Sequence, residues 1–342
     1  MRVAVYYNNN DVRLEEIPVP AIGPEEMLVR VEASGICGSD VMEWYRIMRA
    51  PLVLGHEIAG TVAEVGKNVS RYKVGDCIFV SHHVPCNTCR YCLAGHHTVC
   101  DTLRSTNFDP GGFAEYLRVP AINVDRGVFL LPDEMSFGQG VFIEPLACVY
   151  RGQRQAGIKP GQSVMVIGSG ITGLLHVKLA AALGAGSIFS TDINQYRLDM
   201  ASKCGAEVID AQDNVPERLQ ELNDGLLADV VIICTGAVPA ITQALASVDR
   251  GGTILFFASP EPGVAVPLPV FDLWKNEVSI VSSYGASPLD ITKAIELIHT
   301  GRVKVTDMIT HRFALADAGE GFKLVAGAGE SMKVIIEPHK PF

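Results

Sequence analysis

Positive charge is scarce in this chain of 342 residues: 28 lysines and arginines stand against 38 acidic residues, for a formal net charge of −10 and a pI near 5.4. Such a field repels phosphate backbones, so nucleic acid is not an expected partner. Charged residues make up 19% and aromatics 7%, whereas 48% of residues are hydrophobic. That balance builds a buried core rather than a disordered chain. Long apolar runs are missing too. The longest, residues 164–185, is broken by four glycines, His176 and Lys178, which suits a buried strand and helix and not a membrane span. No apolar signal-like segment follows Met1, so the nine cysteines are expected in a reducing, cytoplasmic setting, where thiolates serve metals rather than disulfides. Repeats and low-complexity tracts are also missing.

A chain of this length exceeds one ordinary core, and two domains are expected. The first 145 residues alternate short β-branched runs (3–7, 28–33, 61–65, 77–80, 113–119) with glycine and proline, the texture of an antiparallel, barrel-like domain. After Pro160-Gly161 the pattern becomes apolar strands at 164–167, 187–191, 207–209, 229–233, 253–257 and 278–282, separated by helical stretches. That reads as a doubly wound parallel sheet. A helix at 288–301 and strands at 310–314 and 333–337 are expected to return to the first domain.

Four cysteines crowd into one short segment, Cys86-x2-Cys89-x2-Cys92-x7-Cys100. Four thiolates around one zinc leave no open position, so such a site is structural. An iron–sulfur cluster competes, but Asp101 follows the last cysteine where bacterial ferredoxin runs continue Cys-Pro. Disulfides or free thiols are the third reading. His82 and His83 precede the cluster, which does not need them, and Cys77, Cys148, Cys204 and Cys234 read as small buried apolar residues.

Gly168-Ser-Gly170-Ile171-Thr172-Gly173 lies where a strand gives way to a helix, and Asp192 closes the next strand. This is the dinucleotide fingerprint in its required context, with Gly168 for the turn, Gly170 for the approach of a pyrophosphate and Gly173 for helix packing. Asp192 can accept from a ribose 2′-hydroxyl and would repel a 2′-phosphate, so NAD is expected over NADP. Arg197 stands close enough to stack on adenine or to soften that repulsion.

Cys37-Gly-Ser39-Asp40, Gly55-His56-Glu57 and Glu144 offer a thiolate, an imidazole and carboxylates, the donor set of an open catalytic zinc site. These segments, the four-cysteine lobe and the late glycine motif resemble, in order and spacing, the zinc-dependent medium-chain alcohol dehydrogenase superfamily, essentially end to end. Ile143-Glu-Pro145-Leu makes the likeness strongest to its polyol (sorbitol) and threonine dehydrogenase branch.

The resemblance implies an α/β protein: a GroES-like β-barrel catalytic domain at 1–147 with a structural-zinc lobe at 84–102, a Rossmann domain at 148–286, and 287–342 returning to the first. It implies zinc on Cys37 and His56 with Glu144 direct or through water, Glu57 as the exchanging acid, Asp40 orienting His56, and Ser39 accepting the alcohol's proton. A second zinc would sit on Cys86, Cys89, Cys92 and Cys100, and NAD would lie along Gly168, Gly170, Ile171, Thr172, Gly173, Asp192, Arg197, Cys234 and Thr235. Ser282-Ser-Tyr284 also falls where relatives line the cofactor cleft. A secondary alcohol or polyol becomes a ketone as hydride passes to the nicotinamide, in a homodimer or homotetramer.

Two departures stand out. Met42 occupies the place of a proton-relaying histidine, for which Glu43 is the expected substitute. Gly285-Ala286 follows Tyr284 where polyol-binding relatives place an arginine. Trp44, Tyr45 and Met48 offer apolar lining for a pocket. A zinc-free quinone-reductase-like enzyme and a retired NAD-binding sensor or structural protein are the alternatives.

Overall fold

The computed structural model describes residues 1–341, which form two compact units, Met1–Pro145 with the chain from Ala286 onward, and Leu146–Gly285. In the first unit a seven-stranded sheet runs Ile309–Ala314, Lys333–Glu337, Met27–Gly35, Glu57–Val65, Cys77–Val80, Val128–Leu130, with Tyr116–Val119 also pairing on Met27–Gly35. Every pairing is antiparallel except that of Ile309–Ala314 with Lys333–Glu337. Met27, Val29 and Val31 alternate inward against Ile58, Val62, Ile78, Leu117 and Val119, the period-2 pattern of a half-buried strand. Each such side chain removed from water contributes about 1.5–3 kcal/mol.

Register positions the site. Gly35 pairs with Glu57 on one side and with Ile335 on the other. Counting outward, Cys37, His56 and Lys333 must collect at the same sheet edge. Gly35 has to be glycine there, since a Cβ would collide with the Glu57 Oε2 atom and press on Lys333 Cδ at 3.3 Å.

The second unit is a six-stranded parallel sheet in the order Glu207–Asp210, Ile188–Asp192, Val164–Ile167, Ala228–Ile233, Val248–Phe256, Ser279–Ser282. Its inner strands read Val-Met-Val-Ile and Ala-Asp-Val-Val-Ile-Ile and are buried on both faces, as helices on either side require. The strand order reverses beside Val164–Ile167, where ligands bind in such sheets.

Several expectations shift. The run at 113–119 is strand only from Tyr116, while Val128–Leu130 and Leu52–Val53 are strands too short to show a period. Cys77 is exposed rather than buried, because it opens its strand on the outer face. No helix of the described residues is long and apolar enough to cross a membrane.

Candidate active site

Cys37 leaves the strand Met27–Gly35 and caps a single 3-10 turn, Gly38–Asp40. Its Sγ accepts from Ser39 N at 3.5 Å and from Ser39 Oγ at 3.4 Å, while its own N–H donates to Asp40 Oδ2 at 3.0 Å. Gly55 turns the chain at φ 92°, a left-handed conformation that favours glycine, and delivers His56 to the head of Glu57–Val65. Donor atoms of Cys37, His56 and Glu57 all lie within 4.8 Å of one another.

Asp40 is fully buried and sits 3.4 Å from His56 Nδ1. Burial opposes its charge, yet His56, Arg46 and the Cys37 N–H outweigh burial and hold the carboxyl below its usual range. For His56 burial likewise opposes protonation, and Asp40 with Cys37 overcomes it, raising the imidazole well above an ordinary histidine. The Nδ1 contact leaves Nε2 for a ligand role, the arrangement that orients metal-bound imidazoles.

Glu57 is 1% exposed, and Lys333, 0% exposed, reaches it with Nζ 2.5 Å from Oε2. Oε1 finds no hydrogen-bond partner among the described residues. A buried carboxylate oxygen left unpaired beside a thiol and an imidazole is costly unless a cation takes it. The donor set therefore fits zinc. Glu144 opens the helix Ile143–Ala156 and is not among the donors within that 4.8 Å cluster.

Two residues escaped sequence reading, Lys333 and Arg46. Lys333 gave no signal beyond a charge opening an apolar strand. Arg46 donates from Nε to Ser39 O at 2.9 Å and from Nη2 to Ser39 Oγ at 3.2 Å, and Nη2 lies 3.5 Å from Asp40 Oδ1. Glu43, expected to stand in for the proton-relaying histidine, accepts from Asn9 N at 3.3 Å. Its backbone starts the short helix Glu43–Arg46, and that turn carries Arg46 inward in its place. Tyr45 carries the Arg46 and Arg49 guanidiniums at 4.6 and 5.7 Å from its ring centre, and Met48 is 85% exposed, so cations join what was expected to be an apolar lining. His82 packs its ring 4.9 Å from His56, away from the sulfurs.

The other cluster is the lobe. Sγ atoms stand 3.5 Å apart for Cys89–Cys92, 3.6 Å for Cys86–Cys100 and 4.0 Å for Cys86–Cys92. These are far from disulfide lengths, and a zinc tetrahedron with bonds of ~2.3 Å has edges of ~3.8 Å. Amides of Thr88 and Cys89 donate to the Cys86 Sγ and pull its thiol down to about 5. Burial pushes Cys92 up to about 12. The site fits a four-sulfur metal.

In the parallel unit, Gly168 takes φ 96°, a Cβ on Gly173 would collide with Gly168 O, and one on Gly170 would meet nothing within 4 Å. The loop is thus packed on its inner side and open above the N-terminus of Ile171–Ala182, as a bound phosphate requires. Asp192 accepts from Ser169 N at 2.9 Å and Asn194 N at 3.0 Å, and Arg197 Nη1 lies 3.8 Å away. Cys234 and Thr235 abut Gly168, and burial raises the Cys234 thiol despite a hydrogen bond with Thr172.

His176, on the same helix, is held at about 3 by burial, and its Nδ1 accepts from Gln153 Nε2 at 3.2 Å. An unfolded histidine titrates near ~6.5, so from there down toward pH 3 the unfolded chain binds a proton that the folded one refuses. Stability is complete above that range and falls with pH by about 1.4 kcal/mol per unit. His176→Gln is expected to flatten the slope by that amount in denaturant titrations run below about pH 5.5, and by about half of it between pH 7 and 6; parallel curves for both proteins would contradict it.

The family model of the alcohol dehydrogenase GroES-like domain matches residues 23–133, and that of the zinc-binding dehydrogenase matches residues 172–300. A protein of Aspergillus clavatus named a probable D-xylulose reductase A is 34% identical over 96% of this chain and 94% of its own. The sorbitol dehydrogenase of Bacillus subtilis is 31% identical over 99% and 98%. Among solved structures, a candidate zinc-binding dehydrogenase of Sinorhizobium meliloti bound to NADP superposes with a TM-score of 0.88, 30% identity, and coverage of 98% and 99%.

Proposed function

The chain belongs to the family of zinc-binding alcohol dehydrogenases with a GroES-like domain, and from that membership we propose that it oxidises a secondary alcohol or polyol to a ketone with NAD. The observation that carries this reading is the unpaired, buried Glu57 Oε1 beside the Cys37 thiol and the His56 imidazole. Cys37 and His56 would hold the catalytic zinc, with Glu57 or Glu144 as the carboxylate, and Cys86, Cys89, Cys92 and Cys100 a structural one. When bound, the catalytic zinc supplies Lewis acidity that lowers the pKa of an alcohol hydroxyl.

The chain's own groups do the rest. Asp40 fixes the ring of His56 through Nδ1. Ser39 Oγ is pinned between Arg46 and Cys37 and keeps a lone pair to take the hydroxyl proton as its own proton passes to solvent water, from which Ser39 is not sealed off. The carbon–hydrogen pair leaves as hydride to the nicotinamide, and the remaining electrons close the carbonyl. Asp192 at its strand end favours NAD, since a 2′-phosphate would meet its carboxylate.

Zinc analysis with NAD and NADP reduction across a panel of alcohols tests the whole. About two zinc per chain, turnover, and a higher kcat/KM with NAD support it. One lobe zinc without turnover would favour a retired cofactor-binding protein, and better use of NADP would remove the assignment to Asp192.

A homo-oligomer belongs to the same proposal. The sheet's last strand, Ser279–Ser282, has a free edge among the described residues. Beside it in sequence, Val270 and Phe271 are each 67% exposed and Trp274 is 74% exposed. An uncharged free edge flanked by aromatics invites a second copy about a two-fold axis. Trp274→Asp is expected to shift light-scattering mass to the monomer at micromolar protein; an unchanged mass would refute this surface.

A further inference from the structure

Arg46 is the cation that touches Ser39 and Asp40 beside the open metal-type site. Its side chain is 13% exposed. Nε and Nη2 are spent on Ser39 and Asp40, whereas Nη1 has no partner among the described residues. Ser39 Oγ, the group it touches, stands 3.4 Å from Cys37 Sγ, so the unspent donors lie within one residue of where an alcohol would react. Tyr45 backs the guanidinium plane at 4.6 Å, with Arg49 on the same ring at 5.7 Å. Two cations on one aromatic ring are notable in a chain of net charge −10.

A neutral polyol asks for hydroxyl, amide or carboxylate partners. A guanidinium whose Nη1 is unspent can donate to a carboxylate oxygen in a charge-assisted, directional hydrogen bond. We propose that Arg46 is a specificity-determining residue that anchors a carboxylate on the substrate, making the preferred substrate a hydroxy acid carrying its secondary alcohol near the acid group. This deepens the dehydrogenase reading above and rests on it. Met42 is consistent with the same arrangement, because an uncharged thioether at that position leaves Arg46 the one cation that reaches Ser39 among the described residues.

Three matched pairs test it on the zinc-loaded protein: gluconate with sorbitol, 3-hydroxybutyrate with butane-1,3-diol, and lactate with propane-1,2-diol. Steady-state kcat/KM with NAD and with NADP, and calorimetric Kd in the presence of the reduced cofactor, are measured for the parent and Arg46→Gln. The acid of at least one pair is expected to exceed its neutral partner by about tenfold or more, the scale of one charge-assisted contact. Arg46→Gln should erase most of that margin in kcat/KM and Kd, while the loss of its hold on Ser39 lowers kcat for acid and alcohol alike and leaves their ratio untouched. Arg46→Lys should restore part of the margin.

Equal or better binding and turnover of the neutral member in all three pairs overturns the proposal. So does a variant that weakens the binding of acid and alcohol alike, which would make Arg46 only a support for Ser39 and Asp40. If no compound of either class is oxidised, the dehydrogenase reading fails, and the Kd comparison alone decides the role of Arg46.

Discussion

Cys37→Ser is expected to release one zinc per chain and to lower kcat/KM by about a thousandfold or more, because losing the Lewis acid forfeits several kcal/mol of transition-state stabilisation. Serine keeps an oxygen where Sγ now accepts from Ser39 N, so the turn Gly38–Asp40 retains its cap and the fold is largely spared. What serine cannot supply is a soft thiolate. The remaining zinc should stay in the lobe, where Cys92→Ser gives the complementary result: metal and thermal stability fall first and activity only as a consequence. Metal analysis and kinetics on the two variants separate the sites. A Cys37→Ser protein with parental turnover would remove the catalytic assignment outright.

What was legible followed from how local its physics is. The glycine loop could be read because Gly168 and Gly173 answer to a positive φ and a close helix approach within one βα turn that Gly170 leaves open, and Asp192 to the end of the adjacent strand. The four cysteines were legible because all of them fall within one short segment, Cys86 to Cys100, whose chain can close on itself. Cys37 and His56 lie just beyond the ends of different strands, and motifs alone named them; the Gly35–Glu57 register then brings them to one edge. Arg46 escaped because its role depends on the way a single turn after Asp40 folds back, and a charged residue in a short polar helix reads by default as solvated. Glu43, one turn earlier, looked as well placed and faces Asn9 instead. Strand Val128–Leu130 was invisible for a simpler reason: three residues cannot display a period.

Lys333 is the residue that sequence reading had least means of finding, since its partner Glu57 lies 276 positions away, and its replacement by methionine carries the second large effect. Both side chains are cut off from water, with Nζ 2.5 Å from Oε2 and the Phe142 ring centre 5.6 Å from Nζ. Removing one member of such a pair strands the other charge in a medium that cannot solvate it, at a cost of about 3–5 kcal/mol. Lys333→Met keeps the stem that packs on Phe142 and Gly35, so the loss reports the charge rather than a cavity. Denaturant unfolding of the metal-free protein should show that loss in the unit built from Met1–Pro145 and the chain from Ala286 onward. Pairing it with Glu57→Gln removes the stranded carboxylate, and the double variant is expected to recover most of the stability, a coupling that independent sites would not produce. Zinc offers a second way to the same end, because a cation at Cys37 and His56 would also neutralise Glu57. Lys333→Met should therefore gain more stability from added zinc than the parent does. A single variant within about 0.5 kcal/mol of the parent, with or without metal, would mean that Glu57 is not held as a buried charge at all.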